Sequence, residues 1–349
     1  MTIRKLNIMI AFICLFIVSP AFSQGQGNQG SSNGQPFQNL QEQIDSLQAQ
    51  INAIQPGSSN APIDLEVDCN NGETINGAIA SVGGAVNQLN IEIIGNCVEQ
   101  VALRRSNVHL QGVSSDAGIT GNYALIALDG ASNITADSLT LNGGRAALTC
   151  LDNASVRASN LILENSSSGV LAQYGGTCDI TDSIIQNNNE GMTIGTNGSV
   201  DAKGVILQDS SGVAANVYTG GSLTLGASSA GTSLVSNNRF GLIIFANGSL
   251  RPLDVIVENN QSNGINIWGG GTLFTEGYAS GGLVVQNNGG HGIIVQPLST
   301  ANFGGQVSLN NNAQFGLVCT GVHSISGLGN VLATGNGSGD IAGSCGYGL

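Results

Sequence analysis

Charged residues make up only 9% of this chain, so charges that recur at a fixed interval stand out. Arg157, Asp179 and Asp201 follow one another at steps of 22 residues, and Lys203 lies two positions after the last of them. Each occupies an outward position of a short alternating run: Val156-Arg157-Ala158-Ser159, Cys178-Asp179-Ile180-Thr181 and Val200-Asp201-Ala202-Lys203. If such runs stack, the four charges form one outward cluster. That cluster is either an ion-pair ladder worth about 0 to 1 kcal/mol per pair or a reactive group of acids and bases. Two carboxylates fall short of the roughly six to eight oxygens that calcium takes.

A second candidate is aromatic. Phe245 and Trp268 stand four residues after Gly241 and Gly264, and Gln173, Gln296 and Thr320 hold the same place after Gly169, Gly292 and Gly316. Turned outward, this column offers ring surface with amide edges, a chemistry suited to sugars; turned aside, it covers a corner. The three His are dispersed and no C-x-x-C occurs, which disfavours a zinc site. His109 and His323 have no carboxylate or Ser partner nearby in sequence, so no Ser-His-Asp arrangement can be argued.

What would bring these positions together is a repeat. A Gly opens each unit, recurring at Gly169, Gly191, Gly212, Gly241, Gly264, Gly292 and Gly316, 21 to 29 residues apart. Leu161-Ile162-Leu163-Glu164-Asn165 aligns with Ser183-Ile184-Ile185-Gln186-Asn187, and with copies beginning at Val205, Ser233, Val255 and Leu283. The alternating runs are too short and too β-branched for helices, and a unit unable to bury its own apolar face must stack on its neighbours. Parallel strands about 4.8 Å apart then put like on like. Asn165, Asn187 to Asn189, Asn237-Asn238, Asn259-Asn260, Asn287-Asn288 and Asn310 to Asn312 would form an amide ladder. The following Gly would supply a positive φ or a close backbone approach.

This pattern resembles the right-handed parallel β-helix of pectin-lyase-like proteins, over roughly residues 63–349. The fold expected is all-β, a single-stranded right-handed parallel β-helix, with a short N-terminal amphipathic or coiled-coil helix and a capping helix. Such a resemblance specifies fold strongly and function weakly. Pectate-lyase-like enzymes place acidic calcium ligands and an Arg base on adjacent rungs of one face. The resemblance therefore makes Arg157 and Lys203 the catalytic candidates, Asp179 and Asp201 the metal candidates, and Ca2+ the cofactor of that reading alone. Gly290-His291-Gly292 is similar to the Gly-His-Gly of polygalacturonases, but the Asn-Thr-Asp, paired-Asp and Arg-Ile-Lys segments of that family are absent. Without its carboxylates the triplet cannot carry out acid/base hydrolysis, and it reads as a corner.

Residues 1–23 read as a secretory signal with Arg4 and Lys5 before an apolar stretch. Without it the chain holds 7 basic and 22 acidic residues, a net charge of −15. Nucleic acid is therefore a poor partner, and no later segment is apolar enough to insert in a membrane. The seven Asn-x-Ser/Thr sequons follow from composition, and with this leader the source reads as bacterial. Residues 24–38 are a flexible linker, and residues 39–55 carry an a/d seam running from Phe37 to Ile54 before the linker 56–62. A cap and first rungs over 63–112, including a helix near Thr74, precede the β-helix of 113–349, which closes in a C-terminal cap near 335–345.

Six Cys remain, spaced for Cys69-Cys97, Cys150-Cys178 and Cys319-Cys345, each about a rung apart, although fifteen pairings are formally open. A second outward column is apolar: Ile162, Ile184, Ile206, Leu234, Ile256 and Val284. Leaving these in water forfeits about 1.5 to 3 kcal/mol each before mutual shielding. An interface is expected, with the helix of residues 37–54, a second copy or another partner as cover. The leading expectation is an exported, periplasmic or extracellular, non-catalytic β-helix that binds extended glycans or a cell-surface partner. Phe245, Trp268, Gln296 and Gln173 are its ligand contacts, and a homo-oligomer is possible. The alternatives are a lyase or epimerase acting on uronic-acid polymers, and a self-associating, adhesin-like surface protein.

Overall fold

In the computed structural model, residues 43, 44, 46, 61–82, 87–276 and 282–345 are described. Gln43, Ile44 and Ser46 are helical. The leader, the linker 24–38, residues 56–60 and the remainder of the seam of residues 39–55 lie outside the described residues.

From Ile63 onward the chain winds as stacked rungs whose strands fall on three faces, the long strands Gly118–Ala127 and Thr140–Cys150 each spanning two of them. On the first face twelve strands pair in one parallel sheet, from Ile63–Asp68 through Ser155–Ser159, Thr177–Thr181 and Ser199–Lys203 to Ser324–Ser326. The second face stacks Ile162–Glu164, Ile184–Gln186, Ile206–Gln208 and their successors, and the third stacks Ser168–Ala172, Glu190–Ile194, Val213–Val217 and theirs. Alternation decides the core. In Thr177–Thr181, Cys178 and Ile180 point inward and are fully buried, while Asp179 is half-buried outside. The core is one continuous apolar cluster from Val67 to Cys345.

Between the second and third faces each turn uses two Asn columns with different tasks. Asn165, Asn187, Asn237, Asn259, Asn287 and Asn311 adopt positive φ of 54° to 59°, a conformation Asn tolerates better than most residues. The next residue turns inward. Asn238, Asn260, Asn288 and Asn312 are at most 2% exposed, and each donates its amide to the next, at 3.1, 2.9, 2.9 and 3.0 Å, ending on Asn336. Ser166 and Ser210 replace Asn in this column. The left-handed backbone expected of Gly therefore belongs to Asn, and Gly serves close approach. A Cβ on Gly292 would meet the Gly316 carbonyl at 2.5 Å and the Asn312 amide at 2.9 Å. Gly212 is not in that column, since the register pairs Met192 with Ala215 and so sets Ala214 beside Gly191.

Disulfides join Cys69 to Cys97, Cys150 to Cys178 and Cys319 to Cys345. At the first rung the helix Ile75–Ser81 begins at Thr74, whose hydroxyl accepts from the Gly77 amide at 3.0 Å, while Glu99 accepts from the Ile75 amide at 2.6 Å and the Asn76 amide at 3.1 Å. Ile75 is fully buried beneath it. In the segment expected as a C-terminal cap, Val331–Thr334 and Gly339–Gly343 pair in register with Val307–Asn310 and Phe315–Cys319.

Candidate functional site

The outward centre of the first face is a single column. Pairing sets Asn90, His109, Thr135, Arg157, Asp179, Asp201, Thr224 and Arg251 on successive strands, with Phe274 and Asn302 following. The four charges read from the sequence thus gather on consecutive rungs. Arg157 Nε stands 3.9 Å from Asp179 Oδ2, and Lys203 Nζ donates to Asp201 Oδ2 at 2.8 Å. Asp201 Oδ1 is enclosed and receives no hydrogen bond among the described residues. The Asp201 carboxylate, through its hydrogen bond and its charge, raises the Lys203 ammonium above its ordinary 10.5.

The same column brings in residues that had no visible partners in sequence. His109 Nδ1 meets the Thr135 hydroxyl, and its Nε2 lies 3.4 Å from Gln111 Oε1. Burial opposes the charge of Asp137, but hydrogen bonds donated by Ser159, Ser138 and Asn160, helped by nearby His109, outweigh it and hold its carboxyl below the usual 3.8. His109, Thr135, Asp137, Arg157, Ser159, Asp179 and Thr181 line a concavity of about 350 Å³. A neighbouring one of about 330 Å³ shares His109 and Thr135 and extends past Asn107 and Asn133 to Gln88. The two adjoin and their lining residues span five rungs, roughly 19 Å at a strand spacing of about 4.8 Å. The alternation in Val108-His109-Leu110-Gln111 was the available signal for His109, but only the register ties it to Arg157.

Asp179 and Asp201 are already paired with cations, and no group of three or more His, Cys, Asp or Glu among the described residues could hold a metal ion.

Phe245 and Trp268 do share a column, at the corner leading into the first face, and Tyr218 joins them. The rings stack with centroids 5.5 and 4.5 Å apart and interplanar angles of 18° and 4°. Tyr218 escaped the sequence alignment because its unit opens at Ala214 rather than Gly212. Gln173 Nε2 reaches past Gly195 to the Tyr218 hydroxyl at 2.8 Å, and Gln296 Nε2 donates to Asn266 Oδ1 at 2.8 Å. Stacked in this way Phe245 has a ring on each side, whereas Trp268, 41% exposed, ends the stack. Phe274, 39% exposed in the central column of the first face, has no such ring partner among the described residues. His291 sits at a corner: its Nδ1 accepts from the Phe315 amide, its ring stacks on Phe315, and burial lowers its pKa below 6.5.

On the second face Ile162, Ile184, Ile206, Leu234, Ile256 and Val284 stand in register, half-buried except Ile162, which is more exposed. Beside them runs an amide-carboxylate column in which Gln186 donates to Glu164, Gln208 to Gln186 and Gln286 to Glu258.

No protein-family model matches the chain, and no curated protein matches it. Solved structures match in fold. The A-module of Azotobacter vinelandii mannuronan C-5 epimerase AlgE4 is 14% identical, with a TM-score of 0.44 over 77% of this chain and 94% of that one. Pectate lyase Pel9A is 12% identical, with a TM-score of 0.42 over 79% of this chain and 80% of that one. The catalytic domain of a GH87 alpha-1,3-glucanase is 12% identical, with a TM-score of 0.32 over 79% and 65%. The fold is a parallel β-helix. At these identities the likeness is one of fold alone.

Proposed function

We propose that this β-helix is exported and binds an extended, neutral glycan along its first face without transforming it. The observation that carries the reading is the central column from His109 to Asn302, in which no position is aliphatic. Hydroxyl, imidazole, guanidinium and carboxylate groups at a regular spacing suit a chain of sugar hydroxyls, and half-exposed Phe274 offers ring surface for a sugar face. The Phe245, Trp268, Gln173 and Gln296 column flanks the same face at its corner. A face that carries Asp137, Asp179 and Asp201 against Arg157 and Lys203, on a chain of net charge −13, favours neutral over uronic polymers. Each acid there is held by a cation or by hydroxyls, and Asp137 is tuned away from the neutral range that general acid-base work needs. Three disulfides fit an oxidising compartment.

Affinity electrophoresis through gels holding neutral or uronic polysaccharides tests this. A neutral polymer should retard the protein and an Arg157→Ala variant much less. Migration unaffected by every neutral polymer ends the reading.

A second reading, a lyase or epimerase of uronic-acid polymers, draws support from the gathering of Arg157, Asp179, Asp201 and Lys203 on adjacent rungs. Ultraviolet absorbance of unsaturated uronate products, with proton NMR of the polymer for epimerisation, would establish it; no product from any uronic polymer would remove it.

A further inference from the structure

Beside the central column of the first face runs a second outward column made only of hydroxyls. Register pairs Ser155 with Thr177, then with Ser199, Ser222 and Ser249, and so on to Thr300. Every position in it is Ser or Thr, and every one is half-buried. One hydrogen bond runs along it, from Ser249 Oγ to Ser222 Oγ at 3.3 Å, and among the described residues its other hydroxyls bond to no side chain or backbone group. The outward columns of the second face are instead aliphatic, or amides and carboxylates already bonded to one another.

Two residues ahead of these hydroxyls lies the corner leading into the first face, and there Asn and Gly alternate. Asn153, Gly175, Asn197, Gly220, Asn247 and Gly270 all adopt positive φ. The alternation is steric, because a Cβ on Gly175, Gly220 or Gly270 would collide with the Asn carboxamide of the rung before. The three Asn are exposed. An amide therefore returns every second rung, roughly 10 Å apart, beside hydroxyls that return at every rung, about 4.8 Å apart.

A ligand that satisfies these groups over several rungs must be straight and must repeat with the same two periods. A diequatorial β-1,4-linked pyranose chain does so. Each residue advances it by little more than one rung, and its two-fold screw brings the same edge back at every second residue. An α-1,4 or β-1,3 chain curves away after a residue or two. We infer that the ligand is a β-1,4-linked chain of neutral pyranoses lying along the solenoid axis, one residue to a rung. This rests on the glycan reading above and narrows it to one linkage. The hydroxyl column meets every unit of the ribbon, and the Asn amides meet alternate units.

Calorimetric titration with hexasaccharides tests it. The straight set is β-1,4-linked glucose, mannose, xylose or N-acetylglucosamine, and the bent set is α-1,4- and β-1,3-linked glucose. At least one straight chain should bind at least about tenfold tighter than either bent one, having several more hydrogen bonds, with affinity rising at each residue from trimer to hexamer. Thr177→Val and Ser222→Ala should each weaken it about fivefold, the loss of one hydrogen bond, with unchanged melting temperatures. A bent chain bound as tightly as the best straight one, or affinity that does not rise beyond the trimer, overturns the inference and leaves glycan binding standing. No binding by any of the six overturns it as well; if neutral-polymer gels still retard the protein, the broader reading survives, and if they do not, both fall. The length series on the unsubstituted chain decides even if a variant fails to fold.

Discussion

Two columns of hydrogen-bonding side chains run along this solenoid, and burial gives them opposite roles. The inner Asn column between the second and third faces is sealed in the interior, where an amide left without its partner pays the full cost of desolvation. It holds one geometry, donor to acceptor, from Asn238 to Asn336. The column on the first face has the same vertical spacing and more charge, but its groups meet solvent, so its ion pairs add little to stability. Side chains that contribute little to the fold are those that can be given to a ligand. Like residues stacked on like identify a solenoid; only their exposure separates scaffold from site.

The comparison breaks most readily at Asn260. Its amide serves the Asn238 backbone and side chain, the Val235 carbonyl and Asn288. Asn260→Ala should cost about 3 kcal/mol by orphaning several buried groups, read as a lower denaturation midpoint. Asn288→Ser should cost less, about 1 kcal/mol, because Ser166 shows how Ser fits this column, donating to the Glu164 carbonyl and accepting from the Gly143 amide. Equal losses in the two variants would mean that the ladder is not a chain of specific bonds.

On the exposed first face, beside the central column, the effects should be smaller and dependent on pH. Asp137 is held below its unfolded value of 3.8, so its contribution is present above that value and lost as pH falls through the lower folded value. Urea midpoints measured between about pH 6 and pH 2 should show this loss in the native chain and not in Asp137→Asn. Smallest of all, Lys203→Ala should change stability by less than about 0.5 kcal/mol at neutral pH, since the Asp201 pair is solvated. A larger loss would make the charged cluster part of the scaffold.

Much of the scaffold was legible in the sequence because burial constrains it from both sides. Alternation in runs such as Cys178-Asp179-Ile180-Thr181 fixes which residues are inside, and repeated Asn followed by Gly fixes the corner. The same pattern put Arg157, Asp179, Asp201 and Lys203 in one place. What stayed hidden depended on register. Gly212 stands two residues ahead of the position that Ala214 fills, and following that Gly lost Tyr218 from the aromatic stack. His109 and Asp137 lie 28 residues apart in a chain whose first rungs do not match the later repeats, so their convergence beside Arg157 has no local signal. Whether a ring offers its face or its edge is decided by its neighbours above and below, as Phe245 between Tyr218 and Trp268 shows.

The central claim, that the first-face column meets the ligand while the buried column holds the fold, is tested most directly by calorimetric titration of a neutral oligosaccharide into the native protein, Arg157→Ala and Trp268→Ala, with thermal melts of all three. The account predicts that Arg157→Ala keeps its melting temperature and binds at least about tenfold more weakly, the loss of about one charge-assisted hydrogen bond, with Trp268→Ala affected less. Affinity unchanged in Arg157→Ala and abolished in Trp268→Ala would contradict it.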